Sequence, residues 1–226
     1  MNVAIIVAGG KGTRFGGHRP KQFLEINGTS IIVHTLRQFE QAQEIDAVAV
    51  VVPAEEVNAF RSAVEESNLK KISQVVAGGE TRAQSVKCGL ALIETADVVA
   101  VHDAVRPLVT PEEIDQVVIA AHNSGAAILV APVSDTIKEL DHHRVVRTVP
   151  RAQLRRALTP QCFRFDILKR AYADLEEIES LRIDVTDDSF LVERLGVPIA
   201  AVEGNARNIK ITTAEDLAVA EAILEM

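Results

Sequence analysis

Short runs of valine, isoleucine and alanine recur along the chain, separated by longer stretches of mixed polarity. The runs at 3–7, 47–52, 72–76, 98–101, 126–130 and 199–202 are rich in apolar residues, and all but 72–76, which contains Ser73-Gln74, are continuous. That pattern predicts strands buried on both faces, because a strand with one wet face would alternate. The stretches at 30–42, 54–66, 82–94, 111–123, 165–177, 187–195 and 214–224 carry apolar residues at helical spacing. Strands alternating with helices imply an α/β fold, a three-layer sandwich around a mostly parallel sheet. Helix starts are marked at Thr110-Pro111-Glu112-Glu113, Thr186-Asp187-Asp188 and Thr213-Ala214-Glu215-Asp216, where a hydroxyl precedes an acidic first turn.

The rhythm breaks at about 132–161. Residues 133–140 and 145–149 alternate like strands about the polar turn Asp141-His142-His143. This predicts a β-arm projecting from one α/β domain spanning 1–226. An arm on a compact body needs a surface to lie on, so we expect a homodimer.

Composition narrows the function. Thirty-two acidic against 24 basic residues give a net charge of −8, tryptophan is absent and there is one tyrosine, which argues against nucleic-acid binding. No apolar run reaches membrane-spanning length, and the apolar start ends at Gly9-Gly10 without a basic flank. Cys88 and Cys162 are far apart and form no metal or disulfide framework. A soluble cytoplasmic protein is expected.

The chemistry lies after the strands. Ala8-Gly9-Gly10-Lys11-Gly12-Thr13-Arg14-Phe15-Gly16-Gly17 places five glycines in nine positions directly behind the first strand. Such a loop brings backbone N–H groups close to an anion. It is neither a dinucleotide fingerprint, because Phe15 stands where the third glycine belongs, nor a Walker A loop, because Gly12 follows Lys11. Arg14, and Lys21 in Arg19-Pro20-Lys21-Gln22-Phe23, suit a nucleoside triphosphate. Further groups follow other strands. These are Gly78-Gly79-Glu80-Thr81-Arg82-Ala83-Gln84-Ser85, His102-Asp103-Ala104-Val105-Arg106-Pro107, and Gly204-Asn205-Ala206-Arg207-Asn208-Ile209-Lys210, which carries a lysine into a short strand. Asp103 at a strand end suits a hard divalent cation that also binds phosphate oxygens. Taken singly, Asp103 reads as a cap or ion-pair partner, Lys210 as a solvated lysine and His102 as a packing residue. Taken together they place a carboxylate and several cations at one sheet edge, with no activated nucleophile, which fits phosphate handling.

The ordered set AGGKGTRFG, PKQF, GGETRAQSV, VHDAVRP, PVSDT, TVPR, LTPQ, TDD and NIKIT resembles the cytidylyltransferases of the methylerythritol-phosphate isoprenoid route along essentially the whole chain. The resemblance implies a Rossmann-like fold whose β-arm intertwines two subunits. It implies that Ala8, Gly9, Gly10, Gly12 and Thr13 hold the CTP triphosphate, with Gly79, Arg82 and Ser85 at the cytosine and ribose. Arg14, Lys21 and Lys210 would surround the reacting phosphorus, and Asp103 would bind Mg²⁺ and substrate. Arg106 and Thr136 would contact the sugar phosphate, as would Arg151, Thr159 and Thr186 from the partner's arm side. Phe15 departs from the family's usual methionine but keeps an apolar side chain. A ribitol-5-phosphate cytidylyltransferase, a guanylyltransferase and a non-catalytic nucleotide-binding protein on the same fold remain open alternatives at this point.

Overall fold

The computed structural model describes residues 1–8, 20–65 and 67–225. In chain order the strands are β1 (Val3–Val7), β2 (Glu25–Ile26), β3 (Thr29–Ser30), β4 (Ala47–Val52), β5 (Ile72–Ala77), β6 (Val98–Asp103), β7 (Ala126–Pro132), β8 (Ile137–Asp141), β9 (Arg144–Val149), β10 (Arg155–Arg164) and β11 (Ala200–Glu203). The helices are α1 (Ile31–Gln41), α2 (Val57–Glu65), α3 (Arg82–Leu90), α4 (Pro111–Ser124), α5 (Phe165–Ala171), α6 (Leu175–Ser180), α7 (Asp188–Glu193) and α8 (Ala214–Leu224).

Seven strands form one sheet in the order β11-β7-β10-β6-β1-β4-β5. All neighbours are parallel except those of β10, which runs antiparallel to both β6 and β7. Successive residues of β1 serve opposite faces, which is why the strand is apolar throughout. Ala4 and Ile6 join α1, α2 and α4 through Leu36, Phe39, Phe60, Ile114 and Val117. Ile5 and Val7 join α3, α5, α6 and α7 through Val86, Leu168, Ile178 and Leu191. The expected three-layer, mostly parallel sandwich is therefore present, with α8 in a third cluster beside Ile26, Val105 and Ile211.

Four local expectations are corrected. β10 is missing from the apolar pattern because Arg155 and Arg156 make its first half polar and Pro160 demotes a strand reading in its middle. The helix expected over 165–177 is two short helices that break at Tyr172, whose side chain turns inward. Asp187, not Thr186, caps α7 by accepting from the Phe190 N–H. The segment around Lys210 is not a strand but an extended run held by single bonds, Ile211 N–H to Val105 O at 2.9 Å among them. Thr110 and Thr213 do cap their helices, each with a reciprocal capping box.

The arm consists of β8 and β9, paired only with each other and turning at His142 and His143. Its feet are the end of β7 and the start of β10, where Pro132 pairs with Arg155. It is thus an extension of the β7–β10 hairpin.

Candidate active site

Strand order reverses between β1 and β6: from β1 the chain moves outward to β4 and β5, then returns to β6 on the other side. A crevice at the carboxyl ends of the strands is expected at such a switch point. Ala8 follows β1 there and Asp103 ends β6, the two strands being in register at Val7 and Asp103. The Gln22 side chain donates to Ala8 O at 2.7 Å, fixing where the chain leaves β1.

Asp103 is buried and receives three cations. Arg82 Nε donates to Oδ1 at 2.8 Å, Lys210 Nζ reaches Oδ2 at 2.8 Å, and Arg106 Nε lies 3.6 Å from the same oxygen. Burial opposes ionisation of Asp103, but Arg82, Lys210 and Arg106 overcome it and hold the carboxyl far below the usual range. Arg82 continues to a second carboxylate, Asp188, through Nη2–Oδ2 at 2.8 Å. Desolvation of Arg82 is outweighed by those two carboxylates, which raise its pKa further. Three cations against two carboxylates leave local positive charge in a chain whose net charge is −8. Lys21 arrives from the other side, its Nζ donating to Ile211 O at 3.0 Å, one residue from Lys210. Arg106 Nη1 donates to Asn208 O at 2.9 Å, while buried Arg106 Nε and Asn208 Oδ1 have no hydrogen-bond partner among the described residues.

His102 supports this cluster from below. Burial pushes it down to about 3, so its ring is neutral. Its Nε2 is 3.2 Å from Arg106 O, which can only accept, so the proton sits on Nε2. Nδ1 then accepts from Thr159 Oγ1 at 3.0 Å, and Thr159 Oγ1 accepts from Asp103 N–H at 3.2 Å. Asn208 Nδ2 donates to Thr159 O at 3.0 Å. One relay therefore joins the backbone of Asp103 and Arg106 to Thr159 and the Lys210 segment.

The start of α3 forms the next part of the rim. Thr81 caps the helix by accepting from Gln84 N–H, and Ser85 Oγ donates to Thr81 O at 2.9 Å. A Cβ on Gly79 would lie 2.5 Å from the Gln84 Cβ, so only glycine lets the loop lie this close to the helix. A cleft of about 590 Å³ opens beside Arg82, bounded by Glu179 and residues 182–185.

The structure thus brings together Lys21, Arg82, Asp103, Arg106, Thr159 and Lys210, with Ala8 and Gly79 on adjoining loops and Ser85 in the first turn of α3. Gly9, Gly10, Gly12, Thr13 and Arg14 lie outside the described residues. Thr136, Arg151 and Thr186 are exposed, and no bond among the described residues links them to Asp103. Arg151 instead donates to Ser134 O at the foot of the arm. Sequence reasoning did not assign Asp188, Tyr172 or Asn208. The second acid of Thr186-Asp187-Asp188 was the available signal, since a first helical turn needs only one capping carboxylate.

Among the described residues no group of three or more His, Cys, Asp or Glu side chains could hold a metal by itself. The donor set fits magnesium in a different way, because that ion is commonly held by one or two carboxylates together with substrate phosphates. Asp103 would be the carboxylate available for such an ion. No helix among the described residues is long and apolar enough to cross a membrane.

The family model described as 2-C-methyl-D-erythritol 4-phosphate cytidylyltransferase matches residues 2–226. A curated protein of that name from Syntrophus aciditrophicus is 43% identical over 99% of this chain and 95% of its own. Its namesake from Bacillus cytotoxicus is 39% identical over 100% and 99%. A crystal structure titled 4-diphosphocytidyl-2C-methyl-D-erythritol synthase, from Anaerococcus prevotii, superposes with a TM-score of 0.86 at 29% identity, covering 100% of this chain and 96% of that one. The 2-C-methyl-D-erythritol 4-phosphate cytidylyltransferase of Thermus thermophilus gives 0.78 at 33% identity, with both chains fully covered.

Proposed function

The chain belongs to the 2-C-methyl-D-erythritol 4-phosphate cytidylyltransferase family, and from that premise we propose that it couples this sugar phosphate to CTP at the Asp103 cluster. An oxygen of the acceptor phosphate attacks the α-phosphorus of CTP, the bond from that phosphorus to the β-phosphate oxygen breaks, and pyrophosphate leaves. The products are 4-(cytidine 5'-diphospho)-2-C-methyl-D-erythritol and pyrophosphate. A phosphate monoester is largely dianionic at neutral pH, with its second pKa near ~6, so no general base is required. The barrier is the approach of two polyanions. Fixed cations at the reacting phosphorus stabilise the charge that builds there without reorganising.

The observation that carries this reading is the convergence of Lys210, Arg82 and Arg106 on Asp103, with Lys21 bonded to the adjoining segment. Lys21 and Lys210, with Arg14, face the α-phosphoryl group, and the Arg106 guanidinium, paired through Nε with Asp103, faces the acceptor. Gly79, Arg82 and Ser85 line the nucleoside side, and Ala8, Gly9, Gly10, Gly12 and Thr13 carry the triphosphate. Asp103 would hold Mg²⁺, which would screen the repulsion between the two substrates.

The chain acts as a single nucleotidyltransferase domain with an arm at about 132–161, in the cytoplasm and as a homodimer. The arm supports the dimer. A lone two-stranded hairpin is marginal in water, and this one exposes Leu140, Val145 and Val146 to 57–60%. Leu140 and Val145 are cross-strand neighbours, giving an apolar patch that a second copy covers. Thr136, Arg151 and Thr186 then complete the acceptor site across the dimer, while buried Thr159, engaged by His102 and the Asp103 amide of its own subunit, backs it from within rather than crossing from the partner.

Pyrophosphate release across four nucleoside triphosphates and two acceptors, methylerythritol phosphate and ribitol phosphate, tests the reading. CTP with methylerythritol phosphate should dominate, and Lys21→Ala should lower its turnover by about 10²-fold with the fold intact. Near-normal turnover in that variant would remove Lys21 from the mechanism, and preference for another pair would overturn the substrate assignment.

A further inference from the structure

Arg82 is held at both ends, and only one end is explained by Asp103. Its other partner, Asp188, is fully buried on the first turn of α7. Asp188 Oδ2 takes Arg82 Nη2 at 2.8 Å, and Oδ1 accepts from the Tyr172 hydroxyl at 2.5 Å. Tyr172 is itself buried at the point where the helical run over 165–177 breaks. Burial, then Asp188, push its phenol well up, so it stays a donor. Asp187 fixes the same turn by capping Phe190 N–H, and its Oδ2 accepts from Gln161 at 2.8 Å. A buried carboxylate is costly unless fully paired. Here a helix cap, an inverted tyrosine and a core glutamine all serve to keep one in place.

We propose that Asp188, backed by Tyr172, is a positioning residue for the reaction, acting through Arg82 on Asp103; the proposal rests on the cytidylyltransfer reading above. Arg82 shared between two carboxylates does two things. Its guanidinium is locked as a bridge and cannot swing out to bind a phosphate in an unproductive pose. Its charge is also divided, so Asp103 keeps enough negative character to engage a cation other than Arg82. Without Asp188 the whole guanidinium charge falls on Asp103. The carboxylate is then more fully neutralised and weaker as a ligand for the divalent ion that accompanies CTP. Partners behind a metal ligand commonly alter affinity by about 10- to 100-fold when removed.

The test compares the wild type, Asp188→Asn and Tyr172→Phe, each checked for native circular dichroism. Two readouts are used, pyrophosphate release as magnesium is titrated at fixed CTP, and binding of Mn²⁺ to the enzyme–CTP complex by electron paramagnetic resonance. Asp188→Asn should raise the half-saturating magnesium about tenfold and weaken Mn²⁺ binding in the same ratio, with a smaller loss in turnover at saturating metal. Tyr172→Phe, which deletes one hydrogen bond and keeps the ring, should shift both readouts in the same direction by about two- to threefold. Should Asp188→Asn not fold, the Tyr172→Phe shift decides. Metal titrations that match the wild type in the folded variants overturn the proposal. Failure of the wild type itself to release pyrophosphate from CTP would instead overturn the assigned reaction.

Discussion

At the scale of single residues, His102 separates structural from chemical roles. It adjoins Asp103 yet is neutral, with both ring nitrogens engaged. Its pKa is lowered by burial from 6.5 to about 3. Between those two values the unfolded chain takes up a proton that the folded chain refuses. Stability is therefore complete above pH 6.5 and falls as the solution is acidified through that window. In chelator, to keep metal out of the comparison, His102→Gln should flatten the change in unfolding free energy between pH 7 and pH 5 by about 2 kcal/mol. Urea unfolding at the two pH values measures it, and an unaltered slope would show that His102 titrates normally. Lys210 and Asp103 were legible as residue types after strand ends. Their pairing was not, because it depends on a segment more than a hundred residues away returning to β6.

At the scale of elements, the strand pattern was read well wherever burial on both faces left no polar residue. β1 and β4 occur with the expected bounds. β10 was not legible, because half of it is arm foot and half is core. Arg155 and Arg156 are exposed where the strand leaves the sheet, whereas 158–163 are buried. That division is measurable. Phe163→Ala should cost about 3–5 kcal/mol, since its ring is fully buried against α5 and α7 residues. Arg155→Ala removes a half-exposed pair with Glu203 and exposed local bonds to Ala152 O and Leu154 O, and should cost less than about 1 kcal/mol. Equal losses in a denaturant series would mean that β10 is not anchored by its inner half. The single helix expected over 165–177 failed for a different reason: local periodicity cannot register that Tyr172 is drawn inward by a buried acid sixteen residues on.

At the scale of the whole molecule, an acidic chain handles polyanions because its cations converge at one rim of the sheet. In the proposed homodimer the arm would extend that logic beyond one subunit. Arg151 sits at the arm's foot without a bond to Asp103 among the described residues, and in the proposed homodimer it would reach the partner's site. Mixing Arg151→Ala subunits with Lys210→Ala subunits, each inactive alone, should restore about a quarter of wild-type turnover, because half the dimers are mixed and each has one intact site. No recovery after subunit exchange, confirmed by native mass spectrometry, would place Arg151 in its own subunit's site.

β10 joins these scales. Its first residues stand at the foot of the arm, and four positions later Thr159 holds the Asp103 amide. Were the proposed dimer to form through the arm, β10 would have one end in the subunit contact and its middle under Asp103, so that association and chemistry would be a single heritable trait. Mutations selected for tighter subunit contact will be felt in turnover, and compensating changes should cluster between Arg155 and Gln161.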